Sequence, residues 1–235
     1  MEELTIIIPV KNEQDSIKEI LSRIENEVSV LHTINIVYDS DEDPTINIVN
    51  LEKQKYSSKV NLIKNKYKNG FSNAVKSGII ESNSKYIIVV MADLCDDLTS
   101  INAMVKLAEE QNADIVCASR YMEGGLQINA PLIKSFLSKS AGLFLYHFFK
   151  VETHDSTNNF KLYRKTFLEL INIESDNSFT IGLELVIKAH ISGFKIRELP
   201  TVWKERTSGK RKFELHTQLP FYIKWVVKLF KLKFN

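Results

Sequence analysis

The chain has 235 residues, of which 44% are hydrophobic and 26% charged, a composition typical of a soluble globular protein and not of a disordered one. The length suits a single α/β domain with a substantial core. The formal net charge of +2 is too small to indicate a nucleic-acid-binding protein, although Lys and Arg are concentrated towards the C-terminus.

Cysteine usage and apolar run length indicate where the protein works. The two cysteines, Cys95 and Cys117, lie at or near the ends of predicted core strands and lack the spacing of a zinc site, so we expect a reduced, cytoplasmic protein. The N-terminus enters a strand directly, without a charged segment followed by an apolar signal core. No uninterrupted apolar run reaches the roughly 18 to 20 residues that a membrane-spanning helix needs.

Apolar β-branched runs alternate with amphipathic segments through the first half of the chain. Predicted strands lie at residues 4–10, 34–38, 60–64, from 86 onwards, and 114–118. Predicted helices follow Ser16 to about Val28, begin at Pro44 and after Gly70, and run over about 101–111. Strands that alternate with helices at this spacing predict βαβ units and a mostly parallel sheet flanked by helices.

The second half of the chain has a different character. An apolar helix is predicted over residues 132–149, a loop crowded with hydrogen-bonding side chains over 154–164, and an amphipathic helix over 181–192. A further strand is predicted at 195–202, and residues 204–212 form a basic, glycine-hinged loop.

The central strand that starts at Tyr86 stops at three carboxylates, Asp93, Asp96 and Asp97. Ligands gather at the carboxyl ends of strands in open α/β sheets, and closely spaced carboxylates suit hard divalent cations. One interpretation is therefore a metal and diphosphate site. The other is an acidic turn in which Asp97 or Thr99 caps the following helix, and the residues alone favour both about equally.

Six motifs, taken in order, resemble the family 2 glycosyltransferases, which are inverting enzymes with the GT-A (Rossmann-like) fold. Within that family the chain is most similar to the branch of dolichol-phosphate mannosyltransferases and polyprenyl-phosphate glycosyltransferases. The motifs are residues 7–13, the acidic stretch from Asp39, residues 92–94, residues 118–121 with the pair Gly124 and Gly125, residues 155–164, and Arg206 with residues 209–212.

The resemblance implies a role for each matched residue. The donor nucleotide would be bound beside Pro9, Lys11 and Glu13, with Asp39 on its base or ribose and Asn73 on the helix that approaches it. The remaining donor-binding residues would be Ala92, Asp93 and a mobile basic loop over the diphosphate carrying Arg206, Lys210 and Lys212. The acceptor phosphate would be held by Arg120, Lys134 and Ser138, and Asp93, Arg120 and Asp155 are the expected catalytic residues.

The resemblance also implies a divalent cofactor, Mg²⁺ or Mn²⁺. Asp93 matches the second acid of the family's metal-binding triplet, but Met91 stands where the first acid is usual. We therefore expect Asp93 to bind metal with help from Cys95, Asp96 or Asp97. The implied reaction moves a sugar from GDP-mannose or a UDP-hexose to a polyprenyl phosphate, which is already an anionic nucleophile and needs no strong general base.

Two other functions remain open at this stage. A family 2 transferase that extends a saccharide would need a carboxylate base near the acceptor, and Asp155 is the candidate. A catalytically silent subunit that binds sugar nucleotides is suggested by Met91. Alternatively, Asp155 and Asn159 only brace their loop through side-chain to backbone hydrogen bonds.

The last segment of the chain is basic and amphipathic. Lys224, Lys228 and Lys231 fall on one helical stripe of residues 219–234, with Trp225, Val226, Leu229 and Phe230 around the rest. This pattern predicts a helix in a membrane interface, while the alternative is a terminal helix packed on the domain. We therefore divide the chain into a catalytic domain, 1–213, and a membrane-contact segment, 214–235, at the cytoplasmic membrane face.

Overall fold

The computed structural model describes residues 3–176, 178–205 and 215–234. In these ranges the strands are β1 Leu4–Val10, β2 His32–Tyr38, β3 Lys59–Lys64, β4 Tyr86–Val89, β5 Ile115–Ser119, β6 Leu126–Ile128, β7 Lys161–Arg164, β8 Ile196–Pro200 and β9 Val202–Lys204. The helices are α1 Ile17–Glu27, α2 Thr45–Glu52, α3 Phe71–Ile80, α4 Ser100–Glu110, α5 Leu132–Phe144, α6 Lys165–Leu170, α7 Ile181–Ile191 and α8 Leu215–Phe234.

Seven strands form the central sheet, in the order β3-β2-β1-β4-β7-β5-β8. The pairings of β3 with β2, β2 with β1, β1 with β4 and β5 with β8 are parallel. Burial of both faces of β1, β4 and β5 explains their continuous apolar sequences. The prediction of a mostly parallel sheet flanked by helices is confirmed.

The sheet has one strand that the sequence did not reveal. β7 lies between β4 and β5 and runs antiparallel to both, so the prediction of a loop was wrong for its four residues. The strand begins with Lys161, whose side chain is fully buried, and ends with Arg164. A buried lysine is rare, and a four-residue strand with a charge at each end does not show the pattern of a central strand.

The boundaries of two other elements differ from the predictions. The helix predicted over 132–149 ends as α5 at Phe144 and continues as a π-helical turn, Leu145–Phe149. The strand predicted over 195–202 divides at Pro200, after which β9 turns away to pair with β6 in a separate two-stranded sheet. Thr201 directs its backbone N–H to Ser119 O at 3.0 Å, which supports this change of direction.

Hydrophobic clusters fill both faces of the sheet. On β1, Ile6 and Ile8 belong to the cluster under α1 and α4, while Ile7 belongs to the cluster under α3 and α7. This division follows from the alternation of side chains along a strand. The result is a three-layer arrangement in which the carboxyl ends of β1, β2 and β4 open on one edge.

Helix α8 packs on the domain with one face and leaves another face exposed. Trp225 and Leu229 are buried in the second cluster, and the ammonium groups of Lys188 and Lys228 lie 5.2 and 4.9 Å from the Trp225 ring. Glu174 pairs with both lysines, at 2.9 and 2.6 Å. The packed-helix interpretation is therefore correct for this face. The predicted domain boundary at 213/214 lies outside the described residues.

Exposed apolar side chains cover the other faces of α8 and the outer side of α5. They are Leu132, Ile133, Phe136, Leu137, Phe144, Leu219, Phe221, Ile223, Val227 and Phe230. None of the helices in the described ranges combines the length and the apolar composition needed to cross a bilayer.

Candidate active site

The predicted donor side is built by the loops that follow β1 and β2. The backbone N–H of Asn12 donates to Asp43 at 3.0 Å, and that of Glu13 donates to the Thr45 hydroxyl at 2.9 Å. Asn12 takes a left-handed conformation, φ 53°, which asparagine adopts more readily than most other residues. Asp43 also accepts from the Thr45 N–H at 2.9 Å, so it ties the start of α2 to the first loop.

The residues predicted for this side meet at the same edge of the sheet. Pro9 lies in β1 beside Val37, and Lys11 is exposed just beyond it. Sequence analysis did not single out Asp43, although its place two residues before Thr45, at the start of a predicted helix, is a signal that could have identified it.

Asp39 connects the end of β2 to the start of α3. Its carboxylate accepts from the Asn65 amide at 2.7 Å and from the Gly70 N–H at 3.0 Å. Gly70 has φ 134°, a conformation that favours glycine, and it immediately precedes the first turn of α3. Asp39 thereby brings the N-terminus of α3, which carries Asn73, to the predicted donor side.

The predicted donor residue Asn73 is buried on the first turn of α3. Its amide donates to Asp176 at 2.5 Å, and the neighbouring Ser72 hydroxyl donates to the Ser178 carbonyl at 2.5 Å. The first turn of α3 is therefore held by the segment between α6 and α7.

The acidic turn after β4 comprises residues 93–97. Asp93 accepts the Cys95 N–H at 3.1 Å, across Leu94 in a left-handed conformation, φ 62°. Asp96 is buried, and burial together with the neighbouring charge of Asp93 raises its pKa to about 7. Asp93 and Asp96 are therefore close enough for the charge of one to act on the other, and such an oxygen-rich, negative site fits a hard divalent cation.

The other two predicted ligands are engaged differently. Asp97 accepts from the Thr99 hydroxyl at 2.6 Å and from the Ser100 hydroxyl at 3.2 Å, so it holds the turn at the start of α4, although the N-cap residue Thr99 makes no side-chain capping hydrogen bond. Cys95 is buried, and burial raises the pKa of its thiol, which disfavours the thiolate that binds metal. Within the described ranges no three His, Cys, Asp or Glu side chains come together as a metal site.

Arg23 supports the acidic turn from outside, and sequence analysis missed it. Its guanidinium donates to the carbonyls of Asp96 at 3.1 Å and Leu94 at 3.5 Å, while Glu27 holds it at 2.8 Å one helical turn away. The contact joins residues more than seventy positions apart, and only an i,i+4 charge pair was visible in the sequence.

Arg120 and Asp155 form a buried, bidentate ion pair. The two distances from guanidinium nitrogens to carboxylate oxygens are 2.6 and 2.9 Å, and the backbone N–H of Arg120 also donates to the Asp155 carboxylate at 3.1 Å. The Asp155 side chain is fully buried and that of Arg120 is 11% exposed. Burial alone would raise the pKa of Asp155, but Arg120 holds it below its ordinary value.

This geometry favours bracing over base catalysis for Asp155. Its carboxylate also accepts from the Asn158 N–H at 3.3 Å, and a lowered pKa weakens it as a general base. Asn159 behaves in the same way, since its amide donates to the Phe179 carbonyl and accepts from the Gly182 N–H, each at 3.0 Å.

The predicted acceptor residues lie beside this pair. The Tyr121 hydroxyl is hydrogen-bonded to Ser138 of α5, and the Arg120 guanidinium lies 5.0 Å from the Tyr121 ring centre. Lys134 stands one turn earlier on α5 and is partly buried. A Cβ at Gly142 would come within 2.2 Å of the His154 carbonyl, so α5 packs directly on the segment that carries Asp155.

The three basic residues predicted over the diphosphate, Arg206, Lys210 and Lys212, lie outside the described residues. The segment that leads to them is described. The Lys204 N–H donates to the Cys95 carbonyl at 3.0 Å, within the acidic turn, and the Glu205 N–H donates to Ile128 at 3.0 Å. The basic segment therefore starts beside Asp96.

Comparisons with known proteins give a consistent picture. The sequence profile of the family described as "Glycosyl transferase family 2" matches residues 5–171. The chain is 29% identical to a dolichol-phosphate mannosyltransferase of Pyrococcus furiosus, over 97% of this chain and 64% of the relative. It is 25% identical to a polyprenol monophosphomannose synthase of Mycolicibacterium smegmatis, over 88% of this chain and 79% of the relative. The chain thus spans just under two thirds of the archaeal protein's length.

Solved structures confirm the fold. Glucosyl-3-phosphoglycerate synthase from Mycobacterium tuberculosis, crystallised with Mn²⁺, UDP and glucosyl-3-phosphoglycerate, aligns with a TM-score of 0.69 at 10% identity. The alignment covers 98% of this chain and 80% of that one. Together with the mixed seven-stranded sheet, this likeness confirms the predicted GT-A architecture.

Proposed function

The chain belongs to glycosyl transferase family 2, and we propose that it transfers a sugar from a nucleotide-diphosphate sugar to a polyprenyl phosphate, with inversion at the sugar carbon. One observation carries the proposal. Arg120 lies close enough to the acidic turn for its charge to act on Asp96, so the arginine that would bind the acceptor phosphate and the carboxylate that would hold the metal are neighbours. Transfer of a sugar from a diphosphate to a phosphate needs both a metal site for the donor and a positive group for the acceptor.

The donor would be bound on the acidic side. Asp93 and Asp96 would hold Mg²⁺ or Mn²⁺, which neutralises the charge that develops on the leaving diphosphate. The loops at Lys11, Asp39 and Asn73 would surround the nucleotide. Because both curated relatives are named for mannose chemistry, GDP-mannose is favoured over a UDP-hexose.

The acceptor phosphate would be bound by Arg120, Lys134 and Ser138. A phosphate monoester is already anionic, so the protein has to orient it and offset its repulsion from the donor, and it does not have to remove a proton. Because this reaction requires no carboxylate base, it is consistent with an Asp155 whose carboxylate is engaged by Arg120. That engagement disfavours the saccharide-extending alternative.

A peripheral contact with the cytoplasmic face of a membrane completes the proposal. The α5 helix that carries Ser138 exposes 87% of Leu132 and 71% of Phe136, and α8 adds further exposed apolar residues with Lys224 and Lys231 near them. Apolar side chains accompanied by lysines suit the boundary between lipid headgroups and acyl chains. A lipid-linked acceptor would then present its phosphate next to the helix that binds it.

The double substitution Leu132→Ser with Phe136→Ser tests the membrane contact. Burial of a large apolar side chain is worth roughly 1.5–3 kcal/mol, so we expect at least about tenfold weaker co-sedimentation with phosphatidylcholine–phosphatidylglycerol vesicles. The matched control is Leu51→Ser with Leu170→Ser, two residues that are each 72% exposed on α2 and α6. Equal sedimentation of the wild type and the α5 variant would exclude α5 from the contact.

The proposed transfer is tested first by ligand-induced stabilisation. We expect GDP or UDP, with MnCl₂, to raise the melting temperature, because a ligand that binds only the folded state stabilises it. Sugar transfer from GDP-mannose or UDP-glucose to a short polyprenyl phosphate should follow with the same nucleotide. If neither nucleotide stabilises the protein with or without metal, the proposal is wrong.

Met91, which stands where the family usually has an acid, is the reason to test the alternative of a catalytically silent subunit. If nucleotides bind, Met91→Asp separates the two functions, because it restores the missing acid of the turn. A silent subunit should gain metal-dependent binding from this substitution. An enzyme adapted to Met91 should gain little or lose activity.

A further inference from the structure

The C-terminal helix α8 contacts the segment before α7 at Phe179. The Phe179 N–H donates to the Gln218 side chain of α8 at 3.0 Å, and the Tyr222 hydroxyl of α8 donates to the Phe179 carbonyl at 3.4 Å. The N–H and the carbonyl of Phe179 therefore both form hydrogen bonds with side chains of α8. Phe179 itself lies two residues before the start of α7.

Phe179 also contacts α3. Its ring stacks on Phe71, the first residue of α3, with centres 4.7 Å apart and planes 18° from parallel. The residues before it continue the contact, because Ser178 and Asp176 accept from Ser72 and Asn73. The whole first turn of α3 thus rests on the segment that α8 holds.

Phe179 also meets the motif loop beside the ion pair. Its carbonyl accepts from the Asn159 amide at 3.0 Å, four residues after Asp155. The Tyr222 hydroxyl lies close enough to Arg120 and Asp155 for their charges to act on it. One residue therefore touches the donor-side helix, the motif loop and the C-terminal helix.

We propose that Gln218 and Tyr222 of α8 are positioning residues for nucleotide binding, which act through Phe179 on the first turn of α3. The inference rests on the proposed function in one respect, namely that this turn faces the donor. It assigns α8 a part in forming the site as well as in membrane contact. Because Trp225 and Leu229 anchor α8 independently, its first turns can be altered while the helix stays in place.

The test uses three substitutions in α8 and one control. Gln218→Met keeps the length of the side chain and removes the acceptor, Gln218→Glu keeps an acceptor, and Tyr222→Phe removes only the hydroxyl. Gln54→Met is the matched control, since Gln54 is exposed in a short turn after α2. Hydrogen–deuterium exchange at amides 71–74 and 178–180 is measured beside GDP and UDP affinity in MnCl₂.

Loss of one hydrogen bond corresponds to about three- to tenfold in an equilibrium constant, and we expect Gln218→Met to weaken nucleotide binding by that factor. Exchange should accelerate at 178–180 and at 71–74. Tyr222→Phe should act in the same direction, whereas Gln218→Glu and Gln54→Met should resemble the wild type.

Two results would overturn the inference: unchanged exchange at 71–74 in Gln218→Met, or faster exchange there with unchanged nucleotide affinity. Failure of the proposed function looks different. In that case the wild type itself binds neither nucleotide, and the exchange at 71–74 alone decides whether α8 positions α3.

Discussion

Asp155→Asn is expected to lower the free energy of unfolding by about 3–5 kcal/mol and to abolish sugar transfer, because it leaves a buried guanidinium without its counter-charge. Arg120 is only 11% exposed, and two of its guanidinium nitrogens donate to Asp155. Solvent therefore cannot stabilise the guanidinium charge once the carboxylate charge is removed. Chemical denaturation and a transfer assay measure the two effects. As a control, Glu110→Gln breaks an exposed pair with Lys106 and should cost no more than about 0.5 kcal/mol.

A double substitution separates the stability effect from the functional one. Arg120→Met with Asp155→Leu removes both charges and replaces them with apolar groups, which often restores the stability lost on breaking a buried pair. We expect most of the stability to return and transfer to remain absent, because the acceptor phosphate has lost its arginine. Recovery of transfer in the double variant would show that Arg120 has only a structural role.

The pH dependence follows from the lowered pKa of Asp155. A carboxyl group with a depressed pKa in the folded state contributes stability that is present above its ordinary pKa and is lost as the pH falls through the folded value. The stability difference between the wild type and Asp155→Asn should therefore be full at neutral pH. It should shrink on acidification below about pH 4.

Strand ends could be located from the sequence, but contacts between distant segments could not. The apolar runs of β1 and β2 are continuous because both faces are buried, so the ends of these two strands and the acids beyond them were predicted correctly, whereas β4 ends at Val89, four residues before Asp93. By contrast, Lys161 is a buried lysine in a short central strand, where the usual pattern is absent. Its ammonium donates to the nearby carbonyls of Ser156 and Asn158, while the strand that it begins pairs with β4 and β5, which are distant in sequence.

The roles within the acidic turn show the same limit. The sequence presents Asp93, Asp96 and Asp97 as equivalent acids, and backbone geometry separates them. Leu94 in a left-handed conformation folds the turn so that Asp96 becomes buried, whereas Asp97 reaches the start of α4. Arg23 stabilises this arrangement from a helix that is remote in sequence.

Asp93→Asn is expected to reduce sugar transfer by roughly 10²–10³-fold, because it removes a charge that holds the cation at the leaving diphosphate. The stabilisation of the protein by GDP or UDP should also lose its dependence on MnCl₂. The fold should persist, since asparagine keeps an oxygen that can accept the Cys95 N–H.

Asp97→Asn is the matched control, because it alters an acid in the same turn whose oxygens are engaged at the start of α4. It should cost about 1 kcal/mol of stability and leave the metal dependence intact. If both substitutions abolish the metal dependence, Asp97 is a ligand after all. If neither does, the acidic turn does not bind the metal.

Asp96 adds a pH signature to this last prediction. Its pKa in the folded protein is raised to about 7, so the stability that its protonated form contributes is full below its ordinary pKa and is lost as the pH rises through 7. A cation that neutralises the two carboxylates offsets that loss, and MnCl₂ should therefore stabilise the wild type more at pH 8 than at pH 6. In Asp93→Asn the neighbouring charge that contributes to the raised pKa is gone, so the difference between the two pH values should become smaller.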